Sequence, residues 1–264
     1  MKPWKWIATG TVGVVLYLLF LIVSAPADFL ADYAAPLTRN AVVLQQAHGS
    51  LWRGRAELVI PGAGPQALGQ LGWRLYPLRL FGGTLAADMT FAGNDIDARA
   101  TVNATRNRHA LRDVTLSAPI KLISLLFPLT DALGLSGQLR LTASTLELDK
   151  HALRGNAEII WSNATSRLLP LTQTGEYRLQ IAAQGKHATL SLSTVKGPLQ
   201  VIGQGEWRAL EDGAFRLQGT VTPSTPQPAL DPFLNAIGPA QANGARAFDI
   251  VTRLRPIDTV SLFP

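Results

Sequence analysis

The sequence predicts an all-β protein, an antiparallel and curved sheet, carried behind a single N-terminal transmembrane helix. Three observations lead there. Residues 7–25 hold no charge and follow closely on Lys2 and Lys5. Residues 139–148 alternate apolar and polar side chains almost without a break. Glycine recurs at short intervals, at Gly83, Gly93, Gly137, Gly155, Gly175, Gly185, Gly197, Gly205, Gly213 and Gly219, where consecutive hairpins need to turn.

The uncharged run comes first in the chain. At about 1.5 Å per helical residue it spans about 28 Å, the hydrocarbon core of a bilayer. Ile7, Val14, Leu18, Ile22 and Ala25 mark the expected anchor. Basic residues stay on the cytoplasmic side, so Lys2 and Lys5 place the N-terminus inside and everything after Asp28 outside. Ala25-Pro26-Ala27 has the small-x-small form that a signal peptidase cuts. A cleavable leader, however, has an apolar core of about 7–15 residues, shorter than this run. Trp4 and Trp6 also suit an interfacial belt. An anchor is the preferred reading, and either way the domain is exported. The predicted location is the inner membrane, single pass, with the main domain in the periplasm.

A juxtamembrane segment follows, residues 28–44, limited by Pro36. Strand signals then dominate. Residues 42–44, 56–60 and 84–91 are short and rich in β-branched or alternating apolar residues. Leu139, Leu141, Ala143 and Thr145 share one face if Arg140, Thr142 and Ser144 share the other. Tyr177, Leu179 and Ile181 repeat the pattern, as do Leu190, Leu192 and Thr194, and then Phe215, Leu217, Gly219 and Val221. One buried and one polar face is the mark of antiparallel sheet. Two stretches break the period. Residues 119–134 and 229–238 carry apolar residues three and four apart, each ending in glycine, and read as short helical segments. Residues 223–228 are the one linker-like tract.

These features recur in order. Leu51-Trp52-Arg53-Gly54-Arg55-Ala56-Glu57 resembles Leu153-Arg154-Gly155-Asn156-Ala157-Glu158. Trp73 precedes Gly83 and Gly93 as Trp161 precedes Gly175 and Gly185. The expected organisation is a cytoplasmic tip and anchor over 1–27, then the juxtamembrane segment 28–44. A first β repeat over 45–134, a second over 135–250 and a tail over 251–264 complete it.

Composition narrows the function classes. Hydrophobic residues make up 47% of the chain, enough for a core. With no cysteine, an exported domain must rest on packing alone, which a bacterial periplasm permits. The formal net charge is +6, but the basic residues are scattered singly, with one local cluster from Arg106 to Arg112. No basic face appears, which excludes nucleic acid as a partner.

Reaction chemistry is sparse. His48, His109, His151 and His187 are isolated, with no second ligand at metal spacing. Gly134-Leu135-Ser136-Gly137 lacks the spacing of a nucleophile elbow. Asp95 and Asp97 read as polar hairpin residues before a calcium site. Asn103-Ala104-Thr105 and Asn163-Ala164-Thr165 match the glycosylation pattern, a motif short enough to arise by chance. No cofactor, metal or catalytic residue is expected. Trp52, Trp73, Trp161 and Trp207 read first as core aromatics; the alternative is that Trp52, with Arg53 and Arg55, forms a partner-docking patch.

Several of these residues carry a family likeness. The N-terminal anchor, Gly49-Ser50-Leu51-Trp52-Arg53-Gly54, Trp73-Arg74-Leu75 with Gly82-Gly83-Thr84-Leu85, and Gly134-Leu135-Ser136-Gly137-Gln138-Leu139 resemble type II secretion system protein N. So do Gly155 with Trp161, Gly197-Pro198-Leu199 with Gly203 and Gly205, and the closing residues 234–238. The resemblance implies a non-enzymatic inner-membrane, periplasm-facing component of the machine that exports folded proteins across the outer membrane of Gram-negative bacteria. Its implied partners are other inner-membrane subunits of that machine. The family is also similar to AsmA-like periplasmic proteins, which implies a second expectation, a lipid-handling module. Leu139, Leu141, Leu179, Ile181, Leu190 and Leu192 are then the candidate apolar groove. Complete burial of these side chains under the helical segments counts against the groove, and an open trough counts for it.

Overall fold

A computed structural model describes residues 24–28, 43–60, 66–121, 134–167, 174–225, 228–241, 244–254 and 257. Ile7, Val14, Leu18 and Ile22 lie outside these residues, as does the interior of the helix-like stretch 119–134. Among the described residues no helix is long and apolar enough to cross a membrane. The chain divides into two compact units, Met1–Asn94 and Asp95–Pro264. Leu135, where the two sequence halves were expected to meet, opens a strand inside the second unit.

Among its described residues the first unit contains four strands, β1 (Val43–Gly49), β2 (Arg53–Ile60), β3 (Gln66–Leu75) and β4 (Leu85–Gly93), with one helical turn, α1 (Pro77–Leu80), between the last two. Each strand pairs antiparallel with the next. Its core is small: Ala27, Leu44, Ala56 and Trp73 are buried, backed by Leu58, Leu71 and Leu75. Trp73 lies across Gly54 of the neighbouring strand, where a Cβ would fall 2.5 Å from the indole ring. Its Nε1 donates to the Leu51 carbonyl at 3.0 Å.

Among its described residues the second unit carries nine strands. They are β5 (Asp97–Ala104), β6 (Arg108–Pro119), β7 (Leu135–Asp149), β8 (Leu153–Ser166), β9 (Gly175–Gly185), β10 (His187–Lys196), β11 (Leu199–Trp207), β12 (Ala214–Pro223) and β13 (Arg246–Arg253). All neighbours again pair antiparallel in chain order. The all-β, antiparallel class expected from the sequence is the one the chain adopts. Trp161 repeats the arrangement of Trp73. Its Nε1 donates to the Ser136 carbonyl at 3.2 Å, and a Cβ on Gly137 would meet that nitrogen at 2.7 Å.

Between β12 and β13 a 3-10 turn (Pro228–Leu230) runs into α2 (Asp231–Ile237), within the helical segment expected over 229–238. Leu230, Phe233, Leu234 and Ile237 follow the i, i+3, i+4, i+7 spacing that puts four side chains on one helix face. Asp231 in the first turn complements the helix dipole, and Pro232 sits where a missing N–H costs nothing. The face is buried against Ala164, Tyr177, Leu199 and Val221.

Candidate functional site

The alternation in the second unit generates a laddered apolar face. Residues directly paired across antiparallel strands point to the same side. One rung runs Leu116, Leu141, Ile159, Leu179, Leu192, Gly203, Gly219 and Phe248. The next runs Ala143, Ala157, Ile181, Leu190, Gly205, Leu217 and Ile250. The register thus brings the six groove residues onto one face, with β8 interposed between Leu141 and Leu179. Sequence reasoning left out Ile159 and Ala157 of β8, as well as Phe248 and Ile250 of β13. Their alternation was there to read.

Glycine shapes this face at one place. Gly203 and Gly219 lie opposite each other, and Phe248 pairs with Gly219. A Cβ on Gly219 would come within 2.8 Å of the Phe248 ring, and one on Gly203 within 3.1 Å. The ring therefore covers two bare backbone positions and joins the cluster beneath α2 to the one around Leu190, Phe215 and Leu217.

The helix covers one end of the face only. Beneath it a cavity of about 130 Å³ is lined by Trp161, Tyr177, Leu192, Leu199, Phe233 and Ile237, among others. Trp161 and Tyr177 pack with ring centroids 5.5 Å apart, and burial pushes the Tyr177 phenol up to about 12. Burial along the face is uneven. Leu190 is 4% exposed, whereas Leu139, Leu141, Leu179, Ile181 and Leu192 are half-buried. Ile181 and Leu190 also line a hollow of about 870 Å³ across β7–β11, together with Thr142, Glu158 and Gln180.

The strand ion pairs lie on the opposite side of the sheet. Arg178 pairs with Glu158 at 3.0 Å, and Arg216 holds Asp249 through two bonds of 3.0 and 2.6 Å. His187 bonds Glu206 and lies 3.4 Å from Glu211, and these carboxylates, Glu206 foremost, raise its pKa above the ordinary 6.5. Asp149 accepts the backbone N–H of His151 and the guanidinium of Arg154, which hold its carboxyl below the usual range. Among the described residues no three His, Asp or Glu side chains gather as a metal site. Asn163 occupies a bulge in β8 at positive φ.

In the first unit Trp52 is half-buried, and Arg53 and Arg55 are exposed on one face of β2. Arg53 lies directly opposite Arg74. The Trp52 carbonyl accepts the Leu75 N–H at 2.7 Å, which ties this turn to the end of β3.

What the geometry defines is a hairpin-built sheet with a partly covered apolar face and dispersed surface ion pairs. A protein-family model described as type II secretion system (T2SS), protein N, matches residues 40–249. The match covers more than half of the chain, which belongs to that family. Comparison with curated proteins and with solved structures gives no match.

Proposed function

We propose that this chain is a non-enzymatic, inner-membrane and periplasm-facing subunit of the type II secretion machine, serving as a structural or docking component. The observation that carries this reading is the family match over residues 40–249. The uncharged run 7–25 supplies the tether, and tethering raises the effective concentration of the domain for other anchored subunits. Trp52, Arg53 and Arg55 are the side chains offered to such a partner, a half-buried aromatic and two exposed guanidinium groups. A second reading, a lipid-handling module, is favoured by one observation. Leu139, Leu141, Leu179, Ile181 and Leu192 are incompletely buried.

In-cell photo-crosslinking separates the two. A crosslinker replaces Trp52, Leu141 and Ile181 in turn, and mass spectrometry reads the adducts. Protein adducts at Trp52 belonging to secretion subunits support the docking role. Lipid adducts at Leu141 and Ile181 without protein partners overturn it in favour of the groove.

A further inference from the structure

The connection between β3 and β4 presents its apolar side chains to solvent. Leu78 is 81% and Phe81 87% exposed, with Leu80 and Leu85 each at 42%. The loop is nevertheless well built. Tyr76 N–H bonds the Ala86 carbonyl, Gly83 N–H that of Leu80, and Gly82 and Thr84 N–H groups both reach the Arg79 carbonyl. Gly83 takes the positive φ of 70° that closes the turn. A fixed loop holding large apolar side chains in water marks an interaction site.

Its place in the first unit indicates the partner. The uncharged run ends at Ala25, whose carbonyl accepts the Leu51 N–H at 2.8 Å. Pro26 bridges Ser50, and Ala27 is buried beside Trp73. The chain leaving that run is thus stitched to the β1–β2 turn, and that turn is bonded through Trp52 to Leu75, at the foot of the exposed loop. Leu78 and Phe81 therefore project from the end of the unit at which residue 25 enters it.

Charge points the same way. No acidic residue occurs between Glu57 and Asp88. Arg53 and Arg74 face each other across β2 and β3, an opposition of like charges that costs energy unless an anion lies between them. Asp88 lies opposite Arg74 on the other side and accepts the Tyr76 hydroxyl, so the rung holds two guanidinium groups to one carboxylate. The Arg79 guanidinium lies 5.7 Å over the Tyr76 ring. Apolar tips beside guanidinium groups match an anionic lipid interface, where the tips meet acyl chains and the cations meet phosphates.

We propose that the β3–β4 loop is a second membrane contact, in which Leu78 and Phe81 enter the headgroup–acyl boundary of the bilayer while Arg53 and Arg74 bind anionic lipid phosphates. This rests on the reading of residues 7–25 as a membrane anchor. Arg53, part of the candidate docking patch, then serves lipid, and Trp52 and Arg55 remain for a protein partner.

Spin labels test it, since a chain without cysteine accepts one label at a time. The full chain is reconstituted alone into phosphatidylcholine vesicles with or without phosphatidylglycerol. Labels go on Leu18→Cys, Leu78→Cys, Phe81→Cys and Ile202→Cys, and their accessibility to oxygen and to a water-soluble nickel chelate is read. The expected result is deep burial at 18 and interfacial depth at 78 and 81. Chelate accessibility at 78 and 81 falls several-fold below that at 202, and Arg53→Ser with Arg74→Ser reverses the part gained from phosphatidylglycerol. Aqueous labels at 78 and 81 with residue 18 still in lipid overturn the proposal alone, and leave the loop to a protein partner. An aqueous label at 18 overturns the anchor reading itself.

Discussion

Replacing Leu230 by alanine tests how α2 is held on the sheet. Leu230 is fully buried, at 0% exposure, among Tyr177, Leu199, Val221 and Phe233. The substitution removes three carbon groups, about 2.4 kcal/mol of transfer free energy at about 0.8 kcal/mol each. The space left cannot close fully, because the 130 Å³ cavity beside it already shows imperfect filling. A cavity term brings the expected loss to about 3–4 kcal/mol. Urea unfolding of the full chain in detergent, followed by tryptophan fluorescence, reads this as a lower midpoint at unchanged slope. Trp161 lies against the same cluster and reports the change directly. Ile202→Ala, at a position 66% exposed, serves as control and shifts stability by less than about 0.5 kcal/mol. A loss at Leu230 below about 1 kcal/mol would refute the reasoning, since α2 would then not depend on its central contact.

Further outcomes follow from single residues. Gly219→Ala puts a Cβ 2.1 Å from the Ile202 carbonyl and into the Phe248 ring, and is expected to cost about 1–3 kcal/mol in the same unfolding assay. Trp73→Phe deletes the bond to the Leu51 carbonyl and lowers the urea midpoint by the equivalent of about 0.5–1.5 kcal/mol. The folded pKa of His187 lies above 6.5, so its stabilising contribution is complete below that pH and fades as pH rises through the folded value. NMR titration reads the raised pKa, and Glu206→Gln moves it back toward 6.5. Asp149 has the opposite sign. Its lowered pKa means a contribution present above about 3.8 and lost as pH falls through the folded value, and Asp149→Asn removes that part of the acid dependence.

Much of this fold was legible in the sequence because its strands keep period two. β9 and β12 show uninterrupted alternation, β10 keeps it to Thr194 and β7 from Leu139 to Ala143, and their paired rungs in the structure follow from it. β5 and β6 were not legible for a physical reason. Asp113 adopts a positive φ of 50° and the register slips between Arg99 and Thr101, so the apolar face changes parity within β6, and Leu111 and Leu116, five residues apart, pair with Leu146 and Leu141 on the same side of the sheet. Gln46 and Asn163 mark similar slips in β1 and β8. The helix over 231–237 was visible from its three-and-four spacing. The exposed loop at 76–85 was missed because its leucines and Phe81 resemble core residues in sequence, and only the fold shows them facing water. The Arg53–Arg74 opposition was equally hidden, since it depends on a register between strands joined by an irregular connection.

The account rests on the domain facing the periplasm, and one labelling experiment tests that directly. Single cysteines at Ile202 and Val251, 66% and 69% exposed, are introduced into the full chain in its native bacterium. Intact spheroplasts are then treated with a membrane-impermeant maleimide. The account predicts full labelling at both positions before lysis. Protection of both until the inner membrane is opened would place the domain in the cytoplasm and contradict the tethered, periplasm-facing role.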